Sequence, residues 1–263
     1  MKLQPTILLT FDVEEFDLPL EYNQQISFQD QLQISKRGFD EIIEVITRQN
    51  VAATLFTTAI FALEYSDTIK QLSQVHEIAS HTFSHTSFEQ ADLLKSRLAL
   101  EGITGKPVTG LRMPRMKVIE MDWVKLAGYQ YDSSINPTYI PGRYNNRHLS
   151  RTFYWEEEML RLPISVSPNL RIPLFWLSFK NFPYPLFKNL AMQTLKRDGY
   201  LSLYFHSWEF TTINQPGLPK YLFKNGGENL TRRLDKLITD LKQDAVFETI
   251  QSYINLRQEF ANK

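Results

Sequence analysis

The sequence predicts an α/β fold, a barrel related to the (β/α)8 type with seven or eight units. Short apolar runs alternate with amphipathic helical segments, which is typical of parallel strands joined by right-handed crossovers. Polar side chains follow several of these runs at the predicted strand ends. No internal repeat or Gly/Ser-rich linker divides the chain, so residues 1–263 are expected to form a single domain.

The apolar runs give eight predicted strands, each four to eight residues long. They cover 6–11, 51–58, 76–80, 109–114, 129–134, 160–165, 200–206 and 245–250. Apolar residues spaced by three and four predict the first helix, as in Phe39, Ile42, Ile43 and Ile46. The predicted helices are 37–50, 69–74, 88–105, 123–129, 184–199, 228–243 and 251–260. Gly105 and Gly199 are expected to end two of them.

Two segments depart from the simple alternation. Residues 138–185 are rich in Pro, Tyr, Asn and Arg and are expected to form long loops or an insertion near a functional site. They would serve either as a substrate lid or as a partner surface. The strand and helices within 226–263 are expected to close the barrel.

Composition excludes several classes of protein. Lys plus Arg and Asp plus Glu balance at 29 each, so a nucleic-acid footprint is not expected. The absence of cysteine excludes disulfides, thiol nucleophiles and Cys-ligated metals. The N-terminal apolar run ends in acids and resembles a strand, not a signal peptide, and no stretch is long enough for a membrane span. We therefore expect a cytoplasmic protein.

Chemically capable residues cluster at the C-terminal ends of the predicted strands. In a β/α barrel these ends meet on one face, where active sites lie. The residues are Asp12, Glu14, His81, His85, Arg112, Asp132 and His206.

The spacing of His81 and His85 has two interpretations. On a helical turn, side chains at i and i+4 project the same way, and two imidazoles with a carboxylate form a known catalytic zinc set. Alternatively, Ser80 or Thr82 caps a helix and the histidines are solvated. Asp12, Glu14 and Glu15 follow the predicted strand 6–11 and favour the metal site, because three carboxylates crowded at one barrel mouth repel each other unless a cation lies among them.

Five segments, in order, resemble the motifs of the polysaccharide deacetylases, the NodB-like group of carbohydrate esterase family four. These segments are TFDVEE (10–15), HTFSH (81–85), RMP (112–114), YDSS (131–134) and LYFH (203–206). The stretch FHSWEF is similar to the His-Pro-Trp-Glu stretch of a subgroup whose first motif is Asp-x-Asp/Glu. The resemblance covers residues 6–210 and implies a distorted (β/α)7-8 barrel.

The resemblance also implies residue roles. Asp12 would be the catalytic base and His206 the acid, with Arg112 positioning Asp12 and Asp132 supporting Arg112. A divalent metal, zinc first and cobalt, nickel or iron as alternatives, would be held by His81, His85 and Glu14. Val13 occupies the place of the usual ligand aspartate, so that role passes to Glu14 by analogy with the subgroup. Arg115 stands where the family has an aromatic or small residue, and Arg115 and Trp208 are expected to contact substrate.

The implied function is metal-dependent removal of an N-acetyl group from an amino sugar or glycan precursor. Two alternatives stay open at this point. The chain either hydrolyses a small non-sugar amide or is a non-catalytic carbohydrate-binding protein of the same fold. The oligomeric state is not indicated by the sequence.

Overall fold

The computed structural model describes residues 4–213 and 217–261. These residues form one curled sheet of parallel strands covered by helices, plus a small two-stranded sheet. The strands are β1 (Thr6–Val13), β2 (Thr54–Thr57), β3 (Glu77–Ser80), β4 (Gly110–Leu111), β5 (Tyr131–Asp132), β6 (Tyr139–Ile140), β7 (Tyr144–Asn145), β8 (Tyr154–Glu156), β9 (Met159–Arg161), β10 (Tyr200–His206) and β11 (Val246–Phe247). The helices are α1 (Phe28–Arg48), α2 (Ala59–Glu64), α3 (Ser66–Leu72), α4 (Ala91–Thr104), α5 (Met121–Leu126), α6 (Trp176–Asn181), α7 (Tyr184–Asp198), α8 (Glu228–Leu241) and α9 (Ile250–Ala261).

The main sheet has the order β10-β1-β2-β3-β4-β5-β9-β8, with β11 also paired to β1. Adjacent strands in this sheet run parallel, except for the antiparallel pair β8 and β9. Beyond β9, the N–H of Ser165 donates to the carbonyl of Ser202 in β10 at 3.0 Å, which brings the two sides of the sheet together. The predicted α/β fold of distorted-barrel type is confirmed.

Alternation along β1 divides the core into two parts. Ile7, Leu9 and Phe11 pack outward against the helices, whereas Leu8 points inward and packs with Tyr131 and other residues inside the barrel. Because both faces of the strand are covered, all eight residues of β1 are buried. The apolar run that predicted this strand therefore reflects its central position in the sheet.

Several element boundaries differ from the prediction. Helix α1 begins at Phe28 instead of residue 37, because Ser27 accepts a hydrogen bond from the N–H of Asp30 and caps the helix there. Helix α2 was not predicted, and Thr58 caps it by accepting from the N–H of Phe61. Strand β2 begins only at Thr54. The helix stops at Gly105 and Gly199 are confirmed, with φ of 67° and 77°.

Residues 138–185 are more ordered than the predicted loops. They contain the hairpins β6–β7 and β8–β9 as well as helix α6. Glu157 and Glu158 connect β8 to β9 with positive φ of 47° and 64°, the geometry of a two-residue hairpin turn. The sequence did not predict this turn, because neither residue is Gly or Asn.

None of the helices in the described residues is long and apolar enough to cross a bilayer.

Candidate active site

Strands β1 and β10 position three of the expected site residues. Asp12 lies opposite His206 in the parallel register, and Glu14 lies two residues beyond Asp12, on the same side of the extended chain. Ligand-type atoms of Asp12, Glu14 and His206 lie within 4.8 Å of one another. The adjacent strand ends therefore bring a carboxylate pair and an imidazole into one small space.

His81 and His85 lie on a loop after β3. The predicted helical turn is wrong: within the described structure, helix α4 begins only at Ala91. Thr82 has a left-handed backbone with φ of 65°, and its N–H donates to the Ser80 hydroxyl at 3.2 Å. These local bonds replace a helical turn. The loop nevertheless stacks the two rings, with centroids 5.6 Å apart and planes 23° apart.

The two imidazoles and Glu14 converge on one point. Glu14 Oε2 lies 2.9 Å from His81 Nε2 and 3.1 Å from His85 Nε2. The Nδ1–H of His81 donates to the carbonyl of Arg112, and the Nδ1–H of His85 donates to the carboxylate of Asp17, both at 2.8 Å. These acceptors fix the tautomers, so each neutral ring presents an Nε2 lone pair to the carboxylate. A cation or an additional proton must therefore lie between them.

The three donors fit a divalent metal. Tetrahedral zinc with bonds of about 2.0–2.1 Å places its ligands about 3.3 Å apart, close to the separations of Glu14 from each imidazole. Two imidazoles with one carboxylate leave a coordination position for water. Burial would raise the pKa of Glu14, but without a metal ion the protonated forms of His85 and His206 outweigh it and hold that pKa below its usual value. The carboxylate is thus stable here only beside positive charge.

Trp208 is almost fully buried and fixes the other oxygen of Glu14. Its indole N–H donates to Glu14 Oε1 at 3.0 Å, which turns Oε2 towards the histidines. Its ring also stacks on His206, with centroids 5.0 Å apart and planes at 15°. Trp208 therefore holds a candidate ligand and the candidate acid in place. It also lines the cavity, and its expected contact with substrate stays a prediction.

Arg112 holds Asp12, as predicted. It is fully buried and donates from Nη1 to Asp12 Oδ1 at 2.6 Å and to the Thr10 hydroxyl at 2.9 Å. Its other guanidinium nitrogens donate to the carbonyl and hydroxyl of Ser133, and the guanidinium lies 4.0 Å from the Phe56 ring centroid. The fork is therefore fixed on all sides and leaves Asp12 Oδ2 for other partners.

Asp132 does not support Arg112 as expected. In the described part of the chain no hydrogen bond or ion pair joins the two side chains. Asp132 instead accepts from Arg161 Nε at 3.0 Å and from the hydroxyl of Ser134. The pairing of β5 with β9 explains this contact, because it sets Arg161 directly opposite Asp132. The predicted strand 160–165 contained Arg161, but its apolar pattern did not fix the register that sets Arg161 opposite Asp132.

Sequence reasoning missed Asp17 beside His85 and two charged residues near His206. Glu209, in the FHSWEF segment, accepts the backbone N–H of His206 at 2.9 Å, and its carboxylate lies 3.5 Å from His206 Nδ1. Lys180 of α6 reaches the same carboxylate at 2.6 Å, although both side chains are buried. Burial would lower the pKa of His206, but Glu14 and Glu209 outweigh it and raise that pKa. The position of Glu209 three residues after His206 was the available signal.

A cavity of about 290 Å³ opens onto these groups. Its walls include Asp12, Glu14 and His206 together with aromatic residues from several loops. Residues from outside the main sheet that line the cavity include Tyr22, Arg115, Arg143, Tyr144, Trp176 and Tyr221. Part of the predicted insertion therefore lines the site, through hairpin β6–β7 and helix α6.

The sequence profile of the polysaccharide deacetylase family matches residues 2–120. Residues 2–120 are therefore similar in sequence to this family. The matched region includes Asp12, Glu14, His81, His85 and Arg112, whereas Asp132 and His206 lie beyond it. No curated protein matches the sequence.

Solved structures share the polysaccharide deacetylase fold with this chain. A proposed polysaccharide deacetylase from Mycobacterium smegmatis is 17% identical with a TM-score of 0.65, over 100% of this chain and 96% of that one. Puue allantoinase is 16% identical with a TM-score of 0.63, over 94% and 88%. A pseudoenzyme of carbohydrate esterase family four from Bacillus anthracis is 14% identical with a TM-score of 0.51, over 95% of this chain and 65% of that one. At these identities the likeness establishes the fold alone.

Proposed function

We propose that the chain is a metal-dependent hydrolase that removes an N-acetyl group from an amino sugar or a glycan precursor. The observation that carries this proposal is the position of the Glu14, His81 and His85 donor set beside Asp12 and His206. The candidate metal site, the candidate base and the candidate acid then lie around one cavity, as metal-assisted amide hydrolysis requires.

Each residue has a chemical task in this reaction. A bound divalent ion supplies Lewis acidity at the acyl oxygen and acidifies a water molecule. Asp12, held by Arg112 at 2.6 Å, accepts the proton of the attacking water. His206, stacked on Trp208 and anchored by Glu209, donates a proton to the departing amine. Acetate and a free amine are the products.

The cavity supports a compact substrate. Its volume of about 290 Å³ lies at the lower end of the range of about 300–1,000 Å³ that is typical of small-molecule sites. Aromatic walls such as Trp176 and Tyr144 suit the apolar faces of a sugar ring. A monosaccharide-sized precursor therefore fits this proposal better than the middle of a long polymer. We propose a cytoplasmic setting for such a precursor.

Two alternatives have specific support. One solved structure with this fold is an allantoinase, and the small cavity also suits a small amide. Another is a pseudoenzyme, and its existence supports a non-catalytic carbohydrate-binding role. The intact pairing of Asp12 with Arg112 and the convergent metal donors favour hydrolysis over the second alternative, because buried charges of this kind are costly to retain without use.

The experiment is a substrate panel on protein loaded in turn with zinc, cobalt, nickel or iron. Acetate and amine release would be measured with N-acetylglucosamine, its nucleotide-linked form, short oligomers, allantoin and linear amides. We expect turnover that stops on chelation, with a preference for acetylated sugars. Asp12→Asn should retain metal and lose about 10²–10⁴-fold in rate. Turnover of allantoin alone would favour the small-amide alternative, and metal-loaded protein without activity on any compound would contradict hydrolysis.

A further inference from the structure

Arg115, like Val13, departs from the pattern of the family that the chain resembles, and each of its three guanidinium nitrogens donates a hydrogen bond within the protein. Nη2 donates to Asp17 Oδ2 at 2.8 Å, Nε donates to Glu21 at 2.5 Å, and Nη1 donates to the carbonyl of His85 at 2.8 Å. These bonds direct the positive charge towards the histidine loop.

Asp17 connects Arg115 to the candidate metal site. Its carboxylate is buried and accepts the Nδ1–H of His85 at 2.8 Å through Oδ1, while Oδ2 accepts from Arg115 and from the Thr86 hydroxyl. A buried carboxylate that orients a metal-ligating histidine needs its own charge compensated. Arg115 provides that compensation and touches the backbone of the same histidine.

The backbone around Arg115 is shaped for this contact. Arg115 and Met116 both have left-handed conformations, with φ of 57° and 53°, within a short turn after Pro114. Two consecutive residues of this kind are strained unless surrounding contacts fix them. The three hydrogen-bond partners of Arg115 are such contacts, so turn and side chain act together.

We propose that Arg115 is a positioning residue of the metal centre, which fixes Asp17 and thereby orients His85 Nε2 towards the ion. This assignment replaces the substrate contact expected from the sequence and rests on the proposed metal-dependent function. Arg115 is expected to affect metal retention, because the hydrogen-bonded groups behind ligating histidines contribute about 10–100-fold to metal affinity.

Titration of the metal-free protein with zinc or cobalt tests the proposal. Arg115→Ala should weaken the metal Kd by about 10–100-fold. Arg115→Gly should weaken it equally while keeping the fold, because glycine adopts the left-handed φ without strain. Arg143→Ala is the matched control, since Arg143 lines the same cavity, is 60% exposed and contacts Glu21 only at 3.8 Å. That variant should bind metal as the wild type does.

A double-mutant cycle identifies the route of the effect. If Arg115 acts through Asp17, the losses in metal affinity of Asp17→Asn and Arg115→Ala should be strongly non-additive. Unchanged metal affinity in both Arg115 variants, with a raised KM, would overturn the proposal and make Arg115 a substrate contact. A wild-type chain that binds no metal would instead contradict the proposed function itself, so the two failures are distinguishable.

Discussion

His81 and His85 stack with ring centroids 5.6 Å apart and both direct Nε2 at one oxygen of Glu14. No helical turn creates this geometry, because the left-handed Thr82 interrupts the chain between β3 and α4. Acceptors from distant segments, the carbonyl of Arg112 and the carboxylate of Asp17, rotate the two rings instead. The candidate metal site therefore depends on tertiary contacts at every ligand.

Metal stoichiometry is the first prediction. The wild-type chain should bind about one divalent ion, and His81→Ala or His85→Ala should abolish stoichiometric binding, because each removes one of three protein ligands. Elemental analysis of protein purified without chelator measures the ion content. His148→Ala is the control, since His148 is exposed and lies outside the convergent set. Retention of the ion in both ligand variants would contradict the site.

The buried pair of Asp12 and Arg112 predicts a stability cycle. Arg112→Met should reduce the free energy of unfolding by about 3–5 kcal/mol, because it leaves the Asp12 carboxylate buried without its cation. Asp12→Asn together with Arg112→Met should recover part of that loss, because no uncompensated charge remains. Urea unfolding of the four proteins provides the free energies. Equal losses in the single and double variants would show that the pairing is not the source.

A variant of Trp208 distinguishes a role in metal binding from a role in substrate binding. Trp208→Phe removes the N–H that donates to Glu14 while keeping an aromatic ring against His206. We expect the metal Kd to rise by about tenfold, the lower end of the range for loss of a hydrogen-bond partner of a metal ligand. Metal titration gives the Kd. Trp176→Phe serves as the control, because Trp176 contacts the rings of His206 and Trp208, whereas the indole N–H bound to Glu14 belongs to Trp208. An unchanged metal Kd with a raised KM would restore the substrate role.

Glu209 is predicted to matter for proton donation. Glu209→Gln removes the negative charge near His206 Nδ1 but keeps an oxygen that can accept the backbone N–H of His206. We expect kcat to fall at least about tenfold, because the histidine holds its proton less firmly, while metal content stays at the wild-type level. Steady-state kinetics on the best substrate measures the effect. A change in KM alone, with kcat preserved, would argue against this role.

His76 predicts a pH dependence of stability that is remote from the active site. Burial lowers the pKa of His76 to about 4, and its Nδ1 finds no hydrogen-bond partner among the described residues. The unfolded chain therefore binds the proton more readily, so stability is lost as the pH falls from about 6.5 towards 4. The contribution reaches about 3 kcal/mol at the acid end.

Unfolding of His76→Gln beside the wild type isolates this contribution. The difference in unfolding free energy between the two proteins should change by about 3 kcal/mol between pH 6.5 and pH 4, in favour of the variant at low pH. Parallel curves for the two proteins would show that His76 is accessible to protons in the folded state.

Local patterns were sufficient to predict much of the fold. Apolar runs such as the one in β1 and glycines such as Gly105 predicted strands and helix ends, because periodicity and backbone preference act over a few residues. The hairpin turn at Glu157 and Glu158 was missed, because these residues adopt positive φ without the usual glycine or asparagine. Propensity alone did not indicate it.

The sequence by itself determined that acids, histidines and arginine follow successive strands, and a sheet of this kind brings strand ends together. Asp12, Glu14, His81, His85 and His206 were therefore predictable as neighbours. Only the tertiary structure decided which charges pair: Asp132 with Arg161, Asp17 with His85 and Arg115, and Glu209 with Lys180. The physical reason is that ion pairs depend on loop geometry within a few ångströms, whereas apolar periodicity specifies only which face of an element is buried.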